Sequence, residues 1–218
     1  KALQASRQTS ENIPLLAAML LDRKVLPDDR PVAAVLLKDM PREQLVWHRR
    51  LLPHARRVGV LYDPAHNQAW VDQAKQEATG LGLEILAIPV HSAKELPAAL
   101  KSLGRQADSL LGIADNTVYS SKTAKAILLF SYRNRIPFVG LSNAWVKAGA
   151  LYALDWDYTA LGQQCAAIAE RILKGEKAGR IGLQQAEKDL YQLNLKTAKQ
   201  LKVEIATALI EGASKVYE

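Results

Sequence analysis

A single cysteine, Cys165, in 218 residues excludes an intrachain disulfide. It falls on the apolar stripe Leu161, Cys165, Ile168, Ile172, at spacings of four, three and four, and reads as a small buried hydrophobe rather than a nucleophile. Long hydrophobic runs are also missing. The longest reach about ten residues, roughly half of a membrane span. No glycine-rich phosphate loop is present: Gly80-Leu81-Gly82 lies at a helix end before a strand, the reverse of the dinucleotide order, and Lys122-Thr123 has no preceding glycines. No His-Glu-x-x-His pattern occurs, and His48, His54, His66 and His91 lack metal-ligand spacing, so neither a metal nor a cofactor is expected. Ser142 follows Gly140-Leu141 without a glycine two residues later, which leaves the hydrolase elbow incomplete and catalytic residues unassigned. The first residues, Lys1 to Gln8, are polar and helix-like. They lack the apolar core of a secretory signal, which was either removed or never there.

What is present is ordinary for a globular chain. Hydrophobic residues make up 49% and charged residues 23%, enough for a sizeable core in one large domain or two small lobes. The net charge is +7 and the isoelectric point about 9.5. Such a balance suits a nucleic-acid or anionic-membrane partner, or simply a mildly basic protein. Lys and Arg are spread along the chain, with the tightest cluster at Arg49, Arg50, Arg56 and Arg57. No nucleic-acid-binding module accompanies them, and no nucleic-acid partner is expected.

The stretch from Arg57 to Asp115 carries the organisation. Arg57 to Tyr62, Leu83 to Val90 and Ser109 to Ala114 are short apolar runs separated by helical patterns. Strands apolar on both faces lie between helix layers, which argues for a parallel sheet. Further strands are expected at Ile13 to Leu21, Pro31 to Leu37, Ile136 to Leu141 and Leu151 to Leu154. Helices are expected from an Asp39 cap to Leu52, from about Gln68 to Gly80, after a Ser92/Glu95 capping box to Gly104, from Thr117 to Asn134, from Asn143 to Ala148 and from Tyr158 to Lys174. His48 lies on the apolar face of the first of these and reads as packed. Gly179 to Gln185 and Asp189 to Leu195 read as short strands or hinge segments, and Thr197 to Leu201 and Ala206 to Val216 as helices. The fold class is α/β with doubly wound sheets.

In open parallel sheets ligands bind beyond the carboxyl ends of the strands. That rim holds Asp63 and Asp115-Asn116-Thr117, then Ser142-Asn143, then Asp155-Trp156-Asp157-Tyr158. Asn116 or Thr117 can cap the helix that follows, whose free N–H groups can hold a carboxylate. An ammonium can pair with Asp157, and an apolar group can rest on Tyr158 or Trp156. The set suits a small zwitterion. The same residues serve equally as the caps and turns that every such junction needs.

At these residues the chain resembles the ABC-transporter substrate-binding proteins of the tryptophan/tyrosine-binding type. The matching segments are Leu51 to Pro64, Asp115 to Val118, Ile136-Pro137-Phe138, Val146 to Leu151, Asp157 to Gly162, Ile172 to Glu176 and Asn194 to Lys199. They follow the family's order over nearly the whole chain. The resemblance implies a periplasmic-binding-protein-like fold: two doubly wound parallel-sheet lobes, hinged and closing on a ligand in the interlobe cleft. It implies a periplasmic or extracytoplasmic protein that performs no chemistry and passes a small, amino-acid-like, sometimes aromatic ligand to the membrane permease of an ABC transporter. The resemblance suggests that Asn116 and Thr117 touch the ligand and that Asp157 partners an amino group; with the strand-end rim, the ligand-binding set is Asp63, Asp115, Asn116, Thr117, Ser142, Asp157 and Tyr158.

Family members usually begin with a further stretch carrying the first βαβα of the N-terminal lobe. The resemblance therefore implies an incomplete N-terminal lobe, residues 1–38 with 158–178, and a C-terminal lobe, residues 39–157 with 179–218. A half-lobe exposes sheet edge and apolar helix faces, which leaves homodimerisation through that surface open. Asp155-Trp156 stands where family members often have glycine, and Ser142 where they often have an acid, so the ligand's identity stays open. Two rivals remain: a transport-independent sensory or protein-interaction module on the same fold, and an enzyme using Ser142 with Asp115 or Asp157.

Overall fold

The computed structural model describes residues 13–20, 23–28, 30–37, 40–186 and 190–218. The opening helix and Asp39 lie outside them. The chain divides into two compact units, residues 1–39 with 156–189 and residues 40–155 with 190–218.

The larger unit is a seven-stranded sheet with helices between its strands. In chain order it runs α1 (Pro41–Leu51), β3 (Arg57–Tyr62), α2 (Pro64–Gly80), β4 (Glu84–Pro89), α3 (Leu96–Leu103), β5 (Ser109–Leu111), α4 (Ala124–Asn134), β6 (Phe138–Gly140), α5 (Asn143–Ala148) and β7 (Tyr152–Asp155), numbering the strands after β1 and β2 of the other unit. The spatial order begins β4-β3-β5-β6-β7, and each of these neighbours pairs in parallel. The chain leaves β3 in one direction for β4 and returns across it to β5. The strand order therefore reverses between β3 and β5. After the excursion to the other unit, β9 (Leu190–Asn194) adds antiparallel to β7, with Asp155 opposite Leu190. α8 (Leu195–Leu201), α9 (Thr207–Glu211) and β10 (Lys215–Tyr217) close the chain, β10 pairing in parallel with β9.

Val58, Val60, Leu61, Leu110, Leu111, Phe138 and Val139 are fully buried, as strands covered on both faces require. α3 rests directly on the sheet: a Cβ at Gly59 would stand 2.2 Å from a methyl of Leu103. His48 is also fully buried, its Nε2 2.8 Å from the Ser109 hydroxyl. Burial holds its pKa down to about 4, the positive charge of Arg49 adds to this, and Asp108 opposes it. It is a neutral core histidine, as its place on the apolar face of α1 suggests.

The smaller unit holds a parallel three-stranded sheet, ordered β1 (Leu15–Leu20), β2 (Val32–Leu36), β8 (Leu183–Gln185). Its helices are α6 (Tyr158–Leu173) and α7 (Ala178–Ile181), beside a 3₁₀ turn at Arg23–Val25. Alternate residues of β2 face two apolar clusters: Ala33 and Val35 pack with Leu161, Ile168 and Ala178, while Ala34 and Leu36 pack with Leu26. Half-buried Cys165 and Ile172 complete the helix stripe. Because β8 pairs with β2, residues 179–186 belong to this unit and not to the C-terminal lobe to which the sequence reading assigned them.

Other local expectations shift for identifiable reasons. α1 is preceded by Met40, whose side chain makes no capping bond, with Pro41 in the first turn. α2 starts at Pro64 rather than near Gln68, because Asp63 caps it. The Ser92 to Glu95 segment is a turn. Its Glu95 carboxylate accepts from the His91 N–H and the Ser92 hydroxyl, so the reciprocal capping box does not form. The helix expected over Ala206 to Val216 stops at Glu211, and Lys215–Tyr217 pairs with β9 instead.

Candidate functional site

The carboxyl ends of β3 and β5 meet where the strand order reverses, the position at which open α/β sheets leave a crevice. Two carboxylates organise the loops there. Asp115, 5% exposed, accepts on Oδ2 from the Asp63 N–H at 2.6 Å and from Asn67 Nδ2 at 2.8 Å. Its Oδ1 accepts from the N–H groups of Thr117 at 2.9 Å and Val118 at 3.0 Å. Asp63 accepts on Oδ1 from the Ala65 N–H at 3.0 Å and on Oδ2 from the Thr117 hydroxyl at 2.9 Å. His66 Nδ1 stands 3.4 Å from the same Oδ2. The Ala65 N–H, then the Thr117 hydroxyl and His66, hold the Asp63 carboxyl below the usual carboxylate range, against the opposing effect of burial.

Each strand-end loop thus bonds the other through both backbone and side chain. Asp63, Asp115 and Thr117 are brought together, and their polar groups are largely used in holding the rim. Asn116 is different. It sits at the head of the turn, exposed, between two residues anchored by the latch. The sequence reading made Asn116 or Thr117 the cap of a helix starting there. The structure gives that role to Asp115, which caps a short turn, and the helix begins only at Ala124. Thr123 fixes the intervening loop, its hydroxyl donating to the Val118 carbonyl at 2.6 Å and accepting from the Ser120 N–H at 2.9 Å.

Ser142 lies at the carboxyl end of β6, on the same rim, since β3 to β7 all run in parallel. It is half-buried and precedes α5 without a side-chain capping bond. Next to it the Asn143 Oδ1 accepts from the Tyr217 hydroxyl, tying β10 to the start of α5. Beyond β7, Asp155 Oδ2 accepts from Gln192 Nε2 at 3.0 Å. Asp157 and Tyr158 belong to the smaller unit. There Asp157 Oδ1 caps α6, accepting from the N–H groups of Thr159 at 2.8 Å and Ala160 at 3.0 Å, and Tyr158 is 52% exposed.

Asn67 escaped the sequence reading. Its signal was Asp63-Pro64, an N-cap followed by proline at the first helical position, which puts residue 67 in the first turn over the rim. The four donors on Asp115 also bear on the enzyme reading. Both of its oxygens are engaged in holding loops, so it is not poised to take a proton from Ser142.

A family model described as ABC transporter substrate binding protein matches residues 32–217. The chain belongs to this family. Solved structures similar to this substrate-binding chain share its fold. One is a ligand-free, open substrate binding protein with adhesive properties from Clostridium difficile, at 21% identity and a TM-score of 0.81, covering 99% of this chain and 75% of that one. A conserved domain protein from Vibrio cholerae matches at 21% identity and a TM-score of 0.72, covering 98% and 75%. An ABC domain in complex with L-Trp from Streptococcus pneumoniae matches at 20% identity and a TM-score of 0.71, covering 99% and 75%. These likenesses establish a periplasmic-binding-protein-like α/β fold. A comparison with curated proteins finds no match. No helix among the described residues is long and apolar enough to cross a membrane.

Proposed function

We propose that this chain is the extracytoplasmic solute-binding component of an ABC-type uptake system and that it binds a small, amino-acid-like molecule, with an aromatic side chain among the candidates. Family membership over residues 32–217 is the observation that carries the reading. The neighbour bound to L-Trp supports the aromatic candidate. The latched loops at the strand-order reversal supply a rigid rim on which Asn116 presents an amide to solvent. An exposed amide held by anchored neighbours recognises a carboxylate or ammonium with little ordering cost. In this reading Asn116, Thr117 and Ser142 contact the ligand, and Asp63 and Asp115 hold the loops that carry them. The protein converts nothing. It delivers its ligand to a membrane permease. Selectivity then comes from polar groups that a wrong ligand leaves unpaired.

Thermal-shift and calorimetric titration against the twenty amino acids, short peptides and common sugars tests this. A saturable response to one class, weakened by Asn116→Ala, supports it. No response across the panel favours the interaction-module reading.

A further inference from the structure

Much of the positive charge of this chain has an address. From Leu96 to Leu154 the only acidic residues are Asp108 and Asp115, against seven Lys and Arg. Neither carboxylate is available to them. Asp108 is taken by the Arg57 guanidinium at 2.7 Å and by the N–H groups of Arg56 and Arg57, and Asp115 by the rim latch. Elsewhere among the described residues some cations pair with carboxylates: Arg42 with Glu77 at 2.9 Å, Arg171 with Glu176 at 2.7 Å, Lys174 with Glu170. On α3 and α4 none is described.

The geometry gathers these charges around two apolar side chains. A groove of about 530 Å³ between α3 and α4 is lined by Lys101, Arg105 and Arg133 together with Leu129. A second, of about 540 Å³ on the other flank of α4, is mostly apolar and uncharged, with Lys125 its one charged lining residue beside Tyr132 and the same Leu129. Leu129 is therefore the shared crest of one continuous surface. It is 40% exposed and Tyr132 55% exposed, and all four cations are exposed around them.

We propose that this face of α3 and α4 docks the protein on an anionic phospholipid surface. Four exposed cations, none with an ion-pair partner among the described residues, match a sheet of negative headgroups. A leucine and a tyrosine standing out among them match the headgroup boundary, where a tyrosine ring keeps its hydroxyl wet and its body in apolar surroundings. The cations Lys101, Arg105 and Arg133 line one groove and Lys125 the other, so charge flanks the Leu129 crest on both sides, as contact with a continuous anionic surface requires. Single-stranded nucleic acid would call for several aromatic platforms, and Tyr132 is the only exposed ring here among the described residues. The inference is independent of which solute the rim binds.

Vesicle co-sedimentation of the full chain tests it, with Lys125→Glu/Arg133→Glu as the variant and Lys75→Glu/Lys177→Glu as the control of equal charge change. Binding is expected to vesicles containing about 30% phosphatidylglycerol at about 50 mM salt, and to disappear at about 500 mM or on phosphatidylcholine alone. The variant on α4 is expected to lose about twentyfold or more in affinity while the control loses little. Circular dichroism confirms that both remain folded, and the salt and lipid dependence of the unaltered chain is a second readout that needs no variant. Equal binding to both lipids, no binding to the anionic vesicles, or an equal loss in the control overturns the proposal. So does retention on polyglutamate or single-stranded DNA without binding to vesicles.

Discussion

Replacing Asp115 with alanine removes the acceptor for four donors at once: the N–H groups of Asp63, Thr117 and Val118 and the side-chain amide of Asn67. The Asp63 and Val118 N–H groups lie in buried surroundings. Each costs about 1–3 kcal/mol when left without a partner. Thr117 and Asn67 are half-buried, so water replaces much of what they lose. Relief of the buried carboxylate's desolvation offsets part of the total. The net expectation is a loss of about 3 kcal/mol, a large share of the 5–15 kcal/mol that ordinary domains possess. Asp115→Asn keeps one oxygen but turns an NH₂ group toward donors, and about 2 kcal/mol is expected to go. Urea unfolding at neutral pH measures both. Trp47, Trp70 and Trp145 pack against the core of the larger unit and report its transition. A shift of less than about 1 kcal/mol for the alanine variant would refute the view that this carboxylate holds the two loops together.

His48 makes the fold acid-sensitive. Its pKa is about 4 when folded and 6.5 when exposed, so between these values the unfolded state binds the extra proton and stability falls as pH falls. The full drop is worth about 3 kcal/mol at ~1.4 kcal/mol per unit. His48→Gln should flatten the profile in that window, and parallel profiles for the two proteins would refute the assignment. Asp63 acts in the same direction at lower pH. Its carboxyl is held below the usual range, so its contribution is present above the unfolded carboxylate range and fades as acid titrates the folded group, which Asp63→Asn unfolding curves at several pH values would show. Gly59→Ala places a Cβ 2.2 Å from Leu103 and should cost about 1–3 kcal/mol through displacement of α3, with the loss relieved in a Gly59→Ala/Leu103→Ala pair.

Much of the fold was legible because its strands are continuous apolar runs bounded by turns. Val58 to Tyr62 and Phe138 to Gly140 needed no partner to be recognised. The rim was legible for the same reason: once β3 and β5 are parallel neighbours, Asp63 and Asp115 must end on one side. Their roles were not. An Asp-Asn-Thr triplet reads as a helix cap, and only tertiary contact shows that Asp115 is spent on the neighbouring loop, leaving Asn116 as the exposed group. The unit boundary was missed at residues 179–186 because Leu183–Gln185 is short and polar, and its strand character comes from the open edge of β2. The strand at Lys215–Tyr217 is hidden in the sequence for a similar reason. Three residues carry no period of their own, and pairing with β9 decides them.

The solute-binding account meets its most direct test in isothermal titration of the protein and its Asn116→Ala variant with L-tryptophan, L-tyrosine and the branched amino acids. The account predicts saturable one-site heat for at least one of these and a loss of about tenfold or more in the variant, whose melting temperature stays unchanged because Asn116 is exposed. Heat that is identical in both proteins, or absent for every ligand, would contradict it.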